Sequence, residues 1–417
     1  MEFSKFGEHY SKGSGILDLM DDLGKALSTD TEMLMLGGGN PSHIPEIEEI
    51  MKKEMENLLA NGDFGKVIGN YDTPQGNIPF LKSLAKMFND FFGWDLTEKN
   101  IALTNGSQNA FFYLFNFFAG DFKNGSKKKI LLPLAPEYIG YSDIGLTDDF
   151  FVSYKPEIEK INEHTFKYKI DFNNCKITDD IGAVCISRPT NPTGNVLTDA
   201  EVAELRKMTT EAGIPLIIDN AYGTPFPNII YTDATPVWDE NIILSMSLSK
   251  FGLPAVRTGI VIANEEVIHS LSALNAIASL APGGIGASLV KRIVDNGSII
   301  DLSKDVVQKY YHKKCLKAFN SLTEKLGDCD FYLHKPEGAL FLWLWLPNLP
   351  ITSDELYERL KKRGVLVISG SNFFPGLNED WQHKNECIRI TYAQNDDIVE
   401  RGLAIIADEI KNIKGVK

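Results

Sequence analysis

The chain is poor in the residues that build disulfide frameworks and metal sites. Its five cysteines are scattered, odd in number and without Cys-x-x-Cys spacing, and its seven histidines show no His-x-x-x-His pattern. Paired cysteines mark secreted scaffolds, and clustered cysteines and histidines mark zinc sites. We therefore expect reduced, buried thiols in a cytoplasmic protein, and we predict no metal site.

The chain also lacks long apolar runs and an excess of positive charge. Its longest apolar stretch, 340–346, is about a third of the ~20 residues that a membrane helix needs. The formal net charge is −14, which argues against nucleic acid and anionic membranes as partners. The first residues contain no apolar core, so no signal peptide is expected.

The most informative feature that is present is Ser247-Leu248-Ser249-Lys250, followed by Arg257. The apolar residues before it place this lysine just after a buried strand. A lysine amine can form a Schiff base with a cofactor aldehyde, while hydroxyls and a guanidinium hold a phosphate. The pattern is therefore typical of pyridoxal-phosphate enzymes. A surface lysine in a serine-rich turn is the competing interpretation, and this motif alone does not exclude it.

Two further motifs follow predicted strands. An apolar run ends at Asp219, and a carboxylate at a strand end suits a protonated ring nitrogen, although a helix N-cap is the commoner role. Tyr222 is placed to donate to a phenolate oxygen of the same ring. Asn191 lies in an Asn-Pro-Thr-Gly turn after another apolar stretch, which presents its amide at the same edge unless the turn is an ordinary proline-rich loop.

A fourth motif, 104–108, reads Thr-Asn-Gly-Ser-Gln and precedes an aromatic run. A Gly-Ser turn that opens a helix offers backbone N–H groups and the positive end of the helix dipole to an anion. We predict that Ser107 and Gln108 contact a phosphate, opposite Ser247 and Arg257.

Taken in order, these motifs resemble those of the fold-type I, class I/II pyridoxal-phosphate-dependent aminotransferases. The resemblance runs nearly end to end and implies pyridoxal 5′-phosphate as cofactor, amino acids and 2-oxo acids as substrates, and a homodimer with shared active sites. One departure is that Arg257 follows Lys250 by seven positions, where many relatives have eight. Further segments carry the resemblance: 36–41, 70–76, 133–141, 280–286, 334–339 and 372–376.

The resemblance also implies individual roles. Lys250, Asp219 and Tyr222 would be catalytic, with Lys250 as the Schiff-base lysine and the proton-transfer base. Arg389 would clamp the substrate α-carboxylate, although without the family we would more often interpret it as an exposed arginine on an alternating strand. The implied cofactor contacts are Ser107, Gln108, Tyr138, Asn191, Asp219, Tyr222, Ser247, Lys250 and Arg257, with Tyr71 from the neighbouring subunit. The implied substrate contacts are Gly39, Asn191, Arg389 and Ile16.

The alternation of apolar strands and helical stretches predicts an α/β fold. We expect a large domain at 46–295, with a mostly parallel sheet flanked by helices, and a smaller α+β domain at 296–417. The resemblance implies the fold-type I arrangement, in which the N-terminal arm, 1–45, packs near the active site and the small domain. Strands are expected near Ile101, Ile130, Val184, Leu216, Ile243 and Ile260.

The implied reaction is a ping-pong exchange of amino groups between alanine/pyruvate and valine/3-methyl-2-oxobutanoate. No second basic residue is assigned to a side-chain carboxylate, and the apolar segment 15–17 favours aliphatic substrates. The alternatives are an aminotransferase of aromatic or 2-aminoadipate specificity, or a pyridoxal-phosphate-dependent lyase on the same fold. We do not expect a transcription regulator built on this fold, because the segment ahead of the motifs is neither basic nor helix-turn-helix-like.

Overall fold

The computed structural model describes residues 2–11, Leu17, Gly24 and 33–416, in which helices and strands alternate along most of the chain. The helices are α1 (Lys5–Ser11), α2 (Pro45–Ala60), α3 (Phe64–Gly69), α4 (Ile78–Phe92), α5 (Ser107–Phe118), α6 (Asp199–Ala212), α7 (Glu265–Ser279), α8 (Ile285–Asp295), α9 (Ser298–Leu302), α10 (Lys309–Leu326), α11 (Ser353–Lys362) and α12 (Asp396–Lys414).

The strands fall into a large sheet, a second sheet and a short pair. They are β1 (Leu34–Met35), β2 (Ile101–Thr104), β3 (Gly120–Asp121), β4 (Lys127–Leu132), β5 (Phe151–Ser153), β6 (Glu157–Lys160), β7 (Thr165–Lys169), β8 (Ile181–Ser187), β9 (Leu216–Asp219), β10 (Ile242–Ser247), β11 (Gly259–Ile262), β12 (Tyr332–His334), β13 (Phe341–Trp345), β14 (Val365–Leu366), β15 (Ile368–Ser369) and β16 (Cys387–Thr391).

The large sheet has the order β2-β11-β10-β9-β8-β4-β3, and β5 also pairs with β4. Strands β10, β9, β8, β4 and β5 run parallel, while β11 is antiparallel to both of its neighbours. Neighbouring residues of β9, Leu216 and Ile217, belong to two separate core clusters, one on each face of the sheet. Helices therefore cover both faces, and the prediction of an α/β fold with a mostly parallel sheet is confirmed.

The second sheet has the order β15-β16-β13-β12-β7-β6. Most of its strands come from the C-terminal part of the chain, where α10 packs against α12. Two of its strands, β6 and β7, lie inside the range 46–295 that was expected to form the large domain. The domain boundaries stay a prediction, and the second sheet draws on both ranges.

The N-terminal part of the chain joins the C-terminal part through backbone pairing. Strand β1 runs parallel to β14, and the N–H of Thr391 donates to the carbonyl of Leu36 at 2.8 Å. This pairing brings the glycines at 37–39 to the edge of β16. No helix in the described ranges is long and apolar enough to cross a membrane.

Candidate active site

A cavity of about 750 Å³ lies where the strands of the large sheet end and the second sheet begins. Strands β8, β9 and β10 are parallel neighbours, so the side chains that follow them meet at one edge. Eleven residues that the sequence singles out line this cavity: Gly39, Ser107, Gln108, Tyr138, Asn191, Asp219, Tyr222, Ser247, Lys250, Arg257 and Arg389.

Two residues singled out by the sequence are not among them. Tyr71 does not line the cavity of its own chain, and its side chain is exposed, with 83% of the residue accessible to solvent. Ile16 lies outside the described residues. The proposed roles of both therefore stay predictions.

Lys250 follows the buried strand β10 in a short 3₁₀ turn, Ser249–Phe251. Its Nζ donates to the carbonyl oxygen of Gly39 at 2.6 Å and lies 5.4 Å from the ring centre of Tyr222. Burial, together with the nearby guanidinium groups, lowers the pKa of Lys250 to about 8. An amine with this pKa is partly neutral near neutral pH, as a nucleophile or a proton acceptor must be.

Asp219 ends β9 and is not a helix N-cap, because no helix follows it directly. Its two oxygens accept the hydroxyl of Tyr141 at 2.7 Å and the N–H of Ala221 at 2.9 Å. Burial raises the pKa of Asp219 to about 6, and the hydrogen bonds and Lys250 oppose that rise. The carboxyl is therefore ionised at neutral pH and able to pair with a protonated ring nitrogen.

The N-terminus of α5 faces Arg257. Gly106 precedes this helix at φ 87°, a conformation that favours glycine, and an added Cβ would lie 2.1 Å from Nη2 of Arg257. Ser247 Oγ lies 2.9 Å from Ser249 Oγ, and Nη1 of Arg257 is 3.5 Å from the same Ser249 oxygen. A helix N-terminus, two hydroxyls and a guanidinium thus surround a volume suited to a phosphate.

Arg389 stands in the middle of β16 and is buried, with 3% of the residue exposed. Its guanidinium donates to Oδ1 of Asn191 at 2.6 Å and to the carbonyl of Gly37 at 2.7 Å. The rings of Phe341 and Phe373 lie 4.1 and 5.2 Å from the guanidinium carbon. Burial lowers the pKa of Arg389 to about 10, so the side chain stays charged at neutral pH. The exposed interpretation of this arginine was wrong.

The two aromatic residues expected beside a cofactor ring keep their hydroxyl protons. Burial is the main cause that raises the pKa of Tyr138 and of Tyr222 above the usual range. Tyr138 meets the ring of Tyr141 edge-on at 5.3 Å, and Tyr222 meets Phe341 edge-on at 6.1 Å. Both phenols can therefore donate hydrogen bonds at neutral pH.

Sequence reasoning missed a group of polar residues behind Asp219. Tyr141 donates to Asp219 and lies 3.4 Å from Ser187 Oγ, and Ser187 in turn bonds Glu137. Burial raises the pKa of Glu137 to about 8. Within the segment 133–141, which carries part of the family resemblance, a role was predicted only for Tyr138. A glutamate among apolar residues was the available signal.

The residues present fit pyridoxal phosphate. The cavity offers a phosphate site at Arg257, a buried carboxylate for the ring nitrogen at Asp219, and an amine of lowered pKa at Lys250 between them. Within the described ranges, no group of three or more His, Cys, Asp or Glu residues is arranged to hold a metal ion.

Comparison with known proteins agrees with this chemistry. The chain is 48% identical over 411 residues to valine–pyruvate aminotransferase of Escherichia coli strain K12, covering 99% of this chain and 98% of that one. A putative amino-acid aminotransferase from Psychrobacter arcticum 273-4 superposes with a TM-score of 0.97 at 46% identity over the whole of both chains.

A third relative is the valine–pyruvate aminotransferase of Salmonella typhimurium LT2. Its crystal structure has a TM-score of 0.88 and 46% identity, over 96% of this chain and 100% of that chain. The family model described as "Aminotransferase class I and II" matches residues 31–406, a range that contains the whole cavity described above apart from Gly24. The chain belongs to the class I and II aminotransferases.

Proposed function

We propose that the protein is a pyridoxal-phosphate-dependent aminotransferase that exchanges amino groups between valine/3-methyl-2-oxobutanoate and alanine/pyruvate. The observation that carries this proposal is the set of three cations in the cavity. Among the described residues that line it, the lysines and arginines are Lys250, Arg257 and Arg389. Lys250 would carry the proton, Arg257 would bind the cofactor phosphate and Arg389 would bind the substrate α-carboxylate. None of the three is therefore left to bind a carboxylate on the substrate side chain.

Pyridoxal phosphate, when bound, supplies an aldehyde that condenses with amines and a ring that accepts an electron pair. Arg257, Ser247 and the N-terminus of α5 would hold its phosphate. Asp219 would keep a proton on the ring nitrogen, because a buried carboxylate next to that nitrogen favours its charged form. Tyr222 and Asn191 would donate hydrogen bonds to the ring's phenolate oxygen.

Lys250 would move the proton during the reaction. Its Nζ would accept the proton from the substrate Cα and donate one to the former aldehyde carbon of the cofactor, which requires an amine that is neutral when it accepts. The lowered pKa of Lys250, about 8, supports this role. The same group would act in both half-reactions, first with the amino donor and then with the oxo-acid acceptor.

Arg389 would orient the substrate by its α-carboxylate. The guanidinium presents a planar fork of donors that matches a carboxylate with two parallel hydrogen bonds. Asn191, Gly37 and the two phenylalanine rings hold that fork in place. A fixed carboxylate fixes the position of Cα relative to Lys250, and such positioning supplies much of the rate of enzymatic reactions.

The test of substrate class is a panel of amino donors with pyruvate as acceptor. We expect valine, alanine and 2-aminobutyrate to react efficiently and dicarboxylates poorly, with small differences among aliphatic donors, because one methylene is worth only about 1–3 kcal/mol. A preference for glutamate or an aromatic amino acid of tenfold or more in kcat/KM, about 1.4 kcal/mol, would refute the proposed specificity.

A lyase on the same fold is the second candidate, and stoichiometry separates the two. An aminotransferase consumes one oxo acid for each amino acid, whereas a lyase releases ammonia or a leaving group from a single amino acid. We expect no turnover of valine without an oxo acid beyond one equivalent per site. Replacing Lys250 with alanine should remove turnover and change the visible absorbance of the holoenzyme.

We also propose a homodimer with shared active sites, in which Tyr71 reaches the phosphate of the neighbouring subunit. Two segments, 64–71 and 277–285, expose apolar side chains, including Tyr71 and Ile277 at 83% and 82%. The two segments lie together, because an added Cβ at Gly284 would come within 2.7 Å of Asp72. An exposed apolar surface of this kind is typical of a protein interface.

A cytoplasmic location stays a proposal, supported by five free, buried cysteines.

A further inference from the structure

A second buried carboxyl lies behind Asp219 and does not line the cavity. Glu137 is 3% exposed. Its oxygens accept the N–H of Ser187 at 2.9 Å, the hydroxyl of Ser187 at 2.7 Å and the N–H of Tyr138 at 3.1 Å. None of these partners is a cation. A buried carboxyl without a cationic partner lowers the stability of the fold unless its hydrogen-bond partners are well placed. We therefore expect Glu137 to have a role in the site.

Two hydroxyl groups lie between Glu137 and Asp219. The Oγ of Ser187 lies 2.7 Å from Oε2 of Glu137. Tyr141 donates to Asp219 at 2.7 Å and lies 3.4 Å from Ser187 Oγ. For Tyr141, the 2.7 Å contact with the Asp219 carboxylate is stronger than the 3.4 Å contact with Ser187. Ser187 and Tyr141 therefore link Glu137 to Asp219 through side-chain contacts.

Three adjacent strands hold this chain of side chains in place. Glu137 and Tyr141 lie in the segment after β4, Ser187 ends β8 and Asp219 ends β9, and these strands are neighbours in the sheet. The N–H of Glu137 also donates to the carbonyl of Phe373 at 2.8 Å, beside the ring that packs on Arg389. The carboxyl of Glu137 itself joins the end of β8 to the segment that carries Tyr138 and Tyr141.

We propose that Glu137 is a positioning residue that acts through Ser187 and Tyr141 to hold Asp219 in one orientation toward the cofactor ring. The inference rests on the proposed function and goes beyond it. The two oxygens of Glu137 join the N–H groups of Ser187 and Tyr138. A glutamine would turn its NH2 group toward one of these donors, so the end of β8 and the segment 138–141 would move apart, and the hydrogen bond from Tyr141 to Asp219 would weaken. Asp219 then holds the ring nitrogen less firmly, while Arg389 and the substrate carboxylate are unaffected.

The test is a double-mutant cycle with Glu137→Gln, Tyr141→Phe and the double variant. The readouts are the dissociation constant of pyridoxal phosphate, measured by titrating the apo protein, and kcat and KM for valine. We expect each single variant to weaken cofactor binding about tenfold and to lower kcat, with KM for valine changed less than twofold. The double variant should match Tyr141→Phe alone, because residues that act through one contact are not additive.

A matched control is Glu386→Gln. Glu386 is also buried and accepts two N–H groups, from Trp345 and Asn348, in the other sheet. We expect its cofactor affinity and kcat to equal those of the wild type. If Glu137→Gln does not fold, Ser187→Ala replaces it in the cycle, because it breaks the same link and leaves the backbone N–H groups on Glu137.

Two results would overturn the inference alone. One is additive effects of Glu137→Gln and Tyr141→Phe, since Glu137 would then act by another route. The other is a Glu137→Gln variant with a lowered Tm but wild-type cofactor affinity and kcat, which would make its role structural. A wild-type protein that binds no pyridoxal phosphate would refute the proposed function itself, and the two failures are therefore distinguishable.

Discussion

At the scale of single residues, the cavity holds charges where burial makes them costly. Burial lowers the pKa of Lys250 to about 8 and that of Arg389 to about 10, and it raises the pKa of Asp219 to about 6. Each shift is against the charged form, so the folded protein bears these groups at a loss of stability. Functional sites commonly carry such costs, because catalysis needs the perturbed groups.

Because burying the ionised carboxylate of Asp219 lowers the stability of the fold, we predict that Asp219→Asn stabilises the apo protein and that the effect depends on pH. The folded pKa of about 6 lies above the ordinary 3.8. Between these values the folded state binds more protons than the unfolded state, so stability falls as pH rises through this window. At pH 8 the variant should be more stable by up to about 3 kcal/mol, and near pH 4 the two should converge. Urea unfolding at both pH values measures this.

Asp199→Asn is the control, because its expected effect on stability at pH 8 has the opposite sign. Hydrogen bonds from Arg188 and Thr235 outweigh burial and lower the pKa of Asp199 to about 2. Its carboxylate therefore adds stability that is present above the ordinary pKa and is lost as pH falls toward 2. The variant should be less stable than the wild type at pH 8. If Asp219→Asn were also destabilising at pH 8, the assumed burial cost would be wrong.

Arg389→Lys should impair catalysis although it keeps the positive charge. A lysine cannot present two parallel donors, and it loses the flat contact with the phenylalanine rings. We expect kcat/KM for valine to fall by about 100-fold, or about 2.7 kcal/mol. Arg359→Lys on α11 is a suitable comparison, because Arg359 is solvent-exposed and pairs with Glu355. Equal activity of the two variants would refute the proposed clamp.

The residues of the candidate site could be predicted from the sequence where a motif marks the end of a strand. Lys250, Asp219 and Asn191 follow apolar runs, and they meet in one cavity because β8, β9 and β10 are neighbours. No role was predicted for Tyr141, Ser187 or Glu137. Their contacts depend on how three strand ends align side by side, and spacing along the chain does not contain that information.

At the scale of elements, local sequence signals mark helix boundaries. A threonine followed three residues later by a glutamate favours a helix start, and Thr198 and Glu201 form this capping box at α6. Gly213 ends the helix in the left-handed conformation. Strands expected near Ile101 and Ile243 are β2 and β10. The pairing of β7 with β12 was not foreseen, because it joins residues far apart in sequence. Periodicity identifies a strand but does not name its partner.

The start of α5 provides a prediction at this scale. Gly106→Ala would place a Cβ 2.1 Å from Nη2 of Arg257, at a backbone conformation that L side chains rarely adopt. Arg257 must move, so we expect the affinity for pyridoxal phosphate to fall at least about tenfold, in addition to a backbone cost of about 1–3 kcal/mol in stability. Gly213→Ala is the matched control, because it has φ 67° and no atom within 4 Å of the added Cβ.

Both variants should lose stability, as measured by urea unfolding of the apo protein. The loss should be larger for Gly106→Ala, because φ 87° with ψ 158° is open almost only to glycine, whereas φ 67° with ψ 31° is the left-handed helical region. Only Gly106→Ala should lose cofactor affinity. Equal dissociation constants for the two variants would mean that Arg257 does not hold the phosphate, and the anion site would have to be placed elsewhere in the cavity.

At the scale of the whole molecule, the exposed apolar side chains of 64–71 and 277–285 are the feature that a single chain does not explain. Among the described residues, the cavity contains every predicted site residue of one chain except Tyr71, whose side chain is exposed to solvent. Both observations have one explanation if a second copy covers this surface and receives Tyr71. The dimer then becomes a condition for catalysis, and monomers should be inactive and poor in cofactor.

Subunit complementation tests this idea directly. A Tyr71→Ala chain lacks the donated phenol, and a Lys250→Ala chain lacks the amine. In a mixed dimer, the site built on the Tyr71→Ala chain has its own Lys250 and receives Tyr71 from its partner, so it carries neither defect. The other site carries both. Each parent dimer has two defective sites, so activity that appears on mixing must come from the mixed species.

We expect co-refolded mixtures of the two variants to recover about a quarter of wild-type activity, since random pairing leaves one intact site in half of the dimers. Activity should be assayed with valine and pyruvate at saturating pyridoxal phosphate, so that weak cofactor binding does not hide an intact site. A mixture of Lys250→Ala with Asp219→Ala is the matched control, because both residues line the cavity of the same chain and each site of the mixed dimer keeps one defect. Recovery in neither mixture would show that Tyr71 serves its own chain and that the active sites are not shared.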